Sequence, residues 1–286
     1  MKNKIYKGLL FSSAASFWWG IIGVFYFKYV SFVGPIELVI HRTIWTAFLL
    51  AITTTIFSKW NQVLEIFTNK KKIFLLFISG ILIYGNWSVW IYAVFINKLV
   101  DASFGYYIFP IISVFLGAVF FKEKLNKRKI ISISLVIISI SYLLIDYKSL
   151  HWTGLAVAFL WSAYNLIRKK LNIESDVGLF VESLIITPMV LILFYFIVEK
   201  GLNDFTLSNP QNMFWIFLAG PMTVIPLYFY IKAVKLAGLG SSGMIFFITP
   251  TCQFLLGIFY YGEPLNLNSL IGFILIWIAV IIYLKD

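Results

Sequence analysis

The chain has one cysteine, Cys252, and two histidines, His41 and His151. A disulfide framework, an iron–sulfur cluster or a His/Cys zinc site needs more ligands than that, so neither a metal nor a cofactor is expected. No G-x-x-x-x-G-K-[ST] phosphate loop occurs, which excludes ATP hydrolysis by that route. Charge is scarce as well: Asp, Glu, Lys and Arg make up 12% of the 286 residues, against about 25% in soluble domains. Apolar surface fills the space, with 61% hydrophobic residues and a mean hydropathy of +0.91. A water-soluble fold of this length cannot hide that much apolar area and still coat itself with charge. The composition is that of an all-α integral membrane protein whose solvent is the lipid bilayer. The net charge of +11 sits in short lysine clusters between apolar runs, which reads as basic loops at a membrane surface and not as a nucleic-acid-binding face.

Hydrophobic runs fall at about 8–27, 35–57, 73–95, 102–121, 130–146, 152–170, 177–198, 212–232, 240–260 and 268–284. A spanning helix uses about 20 apolar residues, so ten transmembrane helices consume nearly the whole chain. Basic residues then fix the orientation, because cytoplasmic loops collect Lys and Arg. With the amino terminus inside, only Lys28, Lys98, Lys148 and Lys200 fall outside and Arg42 lies within run 2; every other Lys and Arg is cytoplasmic. Both termini are expected in the cytoplasm and the protein in the cytoplasmic (inner) membrane. Lys2, Lys4 and Lys7 resemble the start of a signal peptide, but run 1 is too long and no A-x-A site follows, so it is expected to stay as the first helix.

Shifting the chain by 140 residues aligns Ala93 with Ala233, Pro110 with Pro250, Gly117 with Gly257, Glu123 with Glu263 and Asn126 with Asn266, without a gap. Ala14, Phe17 and Trp19 match Ala156, Phe159 and Trp161 at an offset of 142. Paired proline, glycine and glutamate at one spacing point to a duplication, with halves 1–147 and 148–286 of five helices each. An odd number inverts the second half, and inverted five-helix repeats are an architecture of secondary transporters.

The stretch 36–45 carries Glu37, His41 and Arg42; 85–87 is Gly-Asn-Trp; 101–107, 166–170, 178–182 and 259–263 add further motifs in both halves. On these residues the sequence resembles the RarD branch of the EamA family, within the drug/metabolite transporter (DMT) superfamily. The resemblance implies ten helices, cytoplasmic termini and transport of small organic solutes, with no enzymatic activity. It implies no particular substrate. The chain departs from the family at Ile108-Phe109-Pro110, where a Phe-x-Asn-Pro is frequent.

Ionisable groups within a bilayer are costly and normally face a cavity or a partner. In run 2, Glu37 and His41 share a face and Arg42 lies about 100° further round; Glu182 in run 7 is the repeat counterpart of this cluster. Either these groups face a central cavity, binding a charged substrate or passing a proton, or Glu37 and Arg42 form a structural pair. Asn86, Trp87 and Trp90 fall on one face of run 3, and Trp161, Tyr164, Asn165 and Arg168 make a stripe on run 6. Asparagine facing lipid would be unsatisfied, so both stripes are expected to point inward. Trp18 and Trp19 fit an interfacial belt and a cavity wall equally well. Tyr106 lies one turn before Pro110 and Gln253 three residues after Pro250. These prolines, and Pro226 in run 8, free a carbonyl and bend their helices, so that they either pack or gate.

The substrate-binding candidates are therefore Glu37, His41, Arg42, Asn86, Trp87, Trp90, Tyr106, Trp161, Tyr164, Asn165, Glu182 and Gln253. A carrier of a small amino acid, amine or related metabolite fits them, driven by an ion gradient (possible proton coupling included) or working as a uniporter. A hydrophobic drug-like substrate is the other reading, and a channel or scaffold a different class. Oligomeric state is not legible.

Overall fold

The computed structural model describes residues 2–96, 99–147, 152–260, 262 and 267–285. Lys98, Lys148, His151, Glu263 and Asn266 lie outside them. Among the described residues the protein is all helical, and every apolar run carries helix. Run 1 is α1 (Lys2–Phe17), a π-helical turn (Trp18–Ile22) and α2 (Gly23–Tyr29). Run 2 is α3 (Pro35–Ile56); a short helix α4 (Trp60–Thr68) follows, then runs 3 to 7 as α5 (Lys70–Phe95), α6 (Leu99–Phe121), α7 (Lys127–Tyr147), α8 (Trp152–Leu171) and α9 (Ser175–Glu199). Run 8 is α10 (Pro210–Phe217) and α11 (Ala219–Ala237), run 9 is α12 (Leu239–Ile245) and α13 (Ile248–Phe259), and run 10 is α14 (Leu267–Leu284). Six helical stretches are long and apolar enough to cross a membrane: 3–29, 35–56, 70–93, 175–199, 210–237 and 239–256.

Local chemistry sets many of the ends. Pro35 and Pro210 open α3 and α10 at positions where a backbone N–H has no partner in the helix, and the Asn209 side chain caps α10 by accepting from Asn212 N at 3.1 Å. Ser58, Lys122 and Asn172 adopt left-handed conformations just beyond α3, α6 and α8, which ends each helix. The helix α4 falls between runs 2 and 3, where no long apolar run marks it. It is amphipathic and short, burying Val63 and Ile66 one turn apart while Trp60, Leu64 and Phe67 stay exposed.

The described helices expose large apolar side chains and bury polar ones within a core that is itself mostly apolar. Leu191, Ile192, Tyr195 and Phe196 of α9 are exposed, as are Ile130, Ile131 and Ile138 of α7. Buried instead are Ser12, Ser16, Ser79, Asn86, Ser132, Asn165, Arg168, Glu182 and Thr223. In hydrocarbon there is no water to satisfy polar groups, so they turn inward and bond between helices. Ser12 Oγ donates to Ser242 O at 2.9 Å, Thr249 Oγ1 to Ser16 O at 3.1 Å, and Ser132 Oγ to Ala279 O at 2.6 Å. The main packed pairs are α1 with α11, α5 and α6 with α8, α3 with α9, and α7 with α14.

Run 9 is interrupted at Phe246–Phe247. Pro250 has no N–H for the Phe246 carbonyl, which takes Thr249 N at 2.9 Å instead. The tightened turn projects Phe246 into the interior, where it is 1% exposed.

Candidate functional site

The interior opens into a cleft whose empty space, open solvent included, is about 580 Å³. Its wall is mostly aromatic. Trp19 comes from the π-helical turn, Phe27 from α2, Trp87 and Trp90 from α5, Tyr106 from α6, Trp161 from α8 and Phe246 from the break in run 9. Ring contacts knit them together: Trp19 meets Trp161 edge-on at 5.6 Å, and Tyr106 meets Phe246 at 5.5 Å. Asn86 and Gln253 supply amide groups, and Asn86 donates Nδ2 to Val157 O at 3.0 Å.

Arg42 is the charged residue on this wall. It is 5% exposed and, seven residues beyond Pro35, lies about 10 Å along the axis of α3. Its Nε donates to Thr223 Oγ1 at 3.1 Å, and the Thr223 hydroxyl donates in turn to Ala219 O at 2.7 Å. The guanidinium carbon lies 4.4 Å from the Trp87 ring centroid and 5.1 Å from that of Phe27. Such cation–π contacts soften the cost of burying a cation. Among the described residues no carboxylate lies within ion-pair distance of Arg42; the pair with Glu37 considered from sequence does not form.

The remaining candidates lie elsewhere. Glu37, 1% exposed, is held at the start of α3, where both carboxylate oxygens accept from Asp204 N at 3.0 and 2.8 Å and Oε1 also accepts from Phe205 N at 3.0 Å. Asp204 Oδ2 returns the contact by accepting from Gly34 N at 3.2 Å. Burial pushes the Asp204 carboxyl up and the Glu37 charge adds to it, against the Gly34 N–H that favours its ionised form. His41 packs beside Glu37 at 3.5 Å, with its ring against Phe194 and Phe205. Asn165 donates back to Trp161 O of its own helix at 2.8 Å.

Glu182, Tyr164 and Arg168 form a second buried cluster. Glu182 accepts from Ser79 Oγ and from Tyr164 OH at 3.3 Å, and Arg168 Nη1 lies 3.4 Å from its Oε1. Arg168 Nη2 donates to Ser175 O at 3.1 Å. The guanidinium lies against Gly178, where any Cβ would collide with it. Glu182 also borders a smaller pocket with Thr43, Gly80, Tyr84 and Ser183.

A third carboxylate joins three segments. Glu123, between α6 and α7, accepts from Lys169 Nζ of α8, from Leu239 N at 2.9 Å and from Gly240 N at 3.1 Å. Gly238, at φ +92, makes the turn that aims both N–H groups at it.

Sequence reasoning left Trp19 open and did not single out Phe27, Phe246, Thr223 as a partner of Arg42, or Asp204. One signal was available: Phe246 is the residue that the 140-residue offset pairs with Tyr106. Among the described residues no three of His, Cys, Asp and Glu gather as a metal site.

A model of the EamA-like transporter family matches residues 6–145 and again residues 149–285. "Protein RarD" of Salmonella typhi is 32% identical over 280 residues, covering 98% of this chain and 95% of the relative. "Protein RarD" of Escherichia coli K12 is 31% identical over 281 residues, with 98% and 94% covered. An "Uncharacterized transporter" of Vibrio cholerae is 31% identical over 280 residues, with 98% and 92% covered. A crystal structure of a protein with 14% sequence identity superimposes with a TM-score of 0.71 over 97% of both chains, a likeness of fold. With its apolar spanning helices and these bacterial relatives, the chain belongs to the EamA-like transporter family, in the RarD branch, and is a multi-pass membrane transporter and not an enzyme.

Proposed function

We propose that the protein is a secondary carrier that moves a small organic solute, an amino acid or related metabolite, through ten spans arranged as inverted halves 1–147 and 148–286. The observation that carries this reading is the aromatic cavity with Arg42 on its wall. Repeat-related residues support the inverted halves, because Trp19 and Trp161 touch, as do Tyr106 and Phe246. Elements at equal positions in the two halves also pack together, α3 on α9 and α7 on α14. Such a pseudo-twofold arrangement brackets a site between the repeats.

With both termini cytoplasmic, Trp90 and Gln253 lie toward the outer ends of their helices, while Glu123, Lys169, Leu239 and Gly240 close the inner side. The arrangement is then an outward-facing state, and opening inward requires release of the Glu123 contacts. Pro110, Pro226 and Pro250 are the bending points in this scheme. The substrate-binding set is Arg42, Asn86, Trp87, Trp90, Tyr106, Trp161 and Gln253; Glu37, His41, Tyr164 and Glu182 tie separate segments together, and Asn165 bonds within its own helix.

Counterflow in proteoliposomes tests the carrier. Vesicles preloaded with an unlabelled amino acid mixture are expected to accumulate labelled amino acid transiently above equilibrium, with saturation. Flux that rises linearly with concentration and shows no counterflow would indicate a channel and end the carrier reading.

A further inference from the structure

The side of the Arg42 guanidinium that carries Nε is committed to Thr223, and its faces lie over Trp87 and Phe27. What remains is the edge that bears the two terminal nitrogens. For these nitrogens no hydrogen bond forms among the described residues, although the residue as a whole is buried. A guanidinium fixed in this way presents parallel N–H groups, the arrangement that matches a carboxylate in bidentate fashion. A buried cation that lacks a counter-ion is also expensive in the empty protein, and an arriving anion relieves that cost.

We propose that Arg42 is the docking point for a carboxylate on the transported solute, and that the aromatic wall receives a flat or apolar body attached to it. This rests on the carrier reading above and narrows it. An amine without an acid group has no described carboxylate on the cavity wall to meet it, and Arg42 repels it. Glu37 and Glu182 do not supply that missing charge: one is engaged by Asp204 and Phe205 N–H groups, the other by Ser79, Tyr164 and Arg168. Thr223 is the positioning residue, since its hydroxyl turns the terminal nitrogens toward the cavity.

Three ligands of one shape test the idea on the purified full chain: 3-phenylpropionate, its primary amide, and 3-phenylpropylamine. Affinities come from calorimetry, with the shift in unfolding midpoint as a second readout. The carboxylate is expected to bind at least about tenfold more tightly than the amide and the amine, the scale of a charge-assisted pair. Arg42→Gln is expected to erase that preference, Arg42→Lys to keep part of it, and Thr223→Val to reduce it. An amide that binds as well as the carboxylate, or an amine that binds better, overturns the proposal on the wild-type protein alone, whether or not the variants fold. Acetate or chloride binding as tightly as 3-phenylpropionate also overturns it, since Arg42 would then hold a simple counter-ion. Counterflow with an amino acid mixture is scored separately, so loss of the carboxylate preference with counterflow intact rejects the Arg42 assignment and leaves the carrier standing.

Discussion

Two arginines sit below the surface of this protein, Arg42 with 5% of its area exposed and Arg168 with 3%. Arg168 has Glu182 at 3.4 Å and the Ser175 carbonyl at 3.1 Å, with Gly178 clearing space for it. Arg42 has a hydroxyl, two aromatic faces and a cavity. Burial alone therefore does not separate a structural ion from a working one. The separation lies in whether the charge is already answered by the fold: an answered charge adds order, while an unanswered one facing empty volume awaits a ligand.

The comparison breaks most visibly at Arg168. Arg168→Met leaves Glu182 buried without its cation, and removal of one member of a buried pair costs about 3–5 kcal/mol. Thermal or denaturant unfolding of the purified variant is expected to show that loss, and the double variant with Glu182→Met to recover much of it. A single variant as stable as wild type would remove the distinction between the two arginines.

Arg42→Gln is expected to do the reverse. Unfolding stability stays within about 1 kcal/mol of wild type, because no described carboxylate is orphaned, while carboxylate affinity falls at least about tenfold. If the variant loses stability as heavily as Arg168→Met, Arg42 belongs to the structural class.

Glu37→Gln sharpens the contrast within α3 itself. The neutral amide keeps the shape but loses the charge-assisted bonds to Asp204 N and Phe205 N, an expected cost of about 1–2 kcal/mol in unfolding stability. Ligand affinity should not change, since Glu37 is not on the cavity wall. A parallel drop in affinity would bring it into the site.

The smallest effect concerns Lys59, a surface cation between Glu174 at 2.6 Å and Asp176 at 2.6 Å. Partial burial lowers its pKa, but the hydrogen bonds and charges of Asp176 and Glu174 outweigh this and hold it above the ordinary 10.5. A group whose folded pKa is raised contributes stability that is fully present below its unfolded value and is lost as pH rises through the folded value. Lys59→Met should therefore differ from wild type at neutral pH by less than about 1 kcal/mol, in a salt-dependent way. The difference should vanish only above pH 10.5.

The helices were legible because a bilayer demands long apolar runs, and each run carries helix, although runs 1, 8 and 9 are divided. Periodicity also placed Asn86, Trp87 and Trp90 on a shared face, and all three line the cavity. It could not distinguish the two inward-turned asparagines, since Asn86 reaches Val157 across a helix interface whereas Asn165 folds back on Trp161. Nor could local pattern find Asp204 as the partner of Glu37, 167 residues away. In a protein whose exterior is as apolar as its core, spacing tells which residues travel together around a helix. Which of them meets a void is decided by distant segments.

The π-helical turn at Trp18–Ile22 turns that dependence into a matter of counting. Such a turn holds one residue more than an α-turn. A residue added to or removed from a helix that keeps its ordinary winding swings one side by about 100° relative to the other, whereas this wide turn takes up its extra residue and leaves α1 and α2 nearly in phase. Trp19, within the turn, and Phe27, beyond it, both face the cavity. For this stretch of the chain, the length of the sequence is as much a part of the binding wall as its letters.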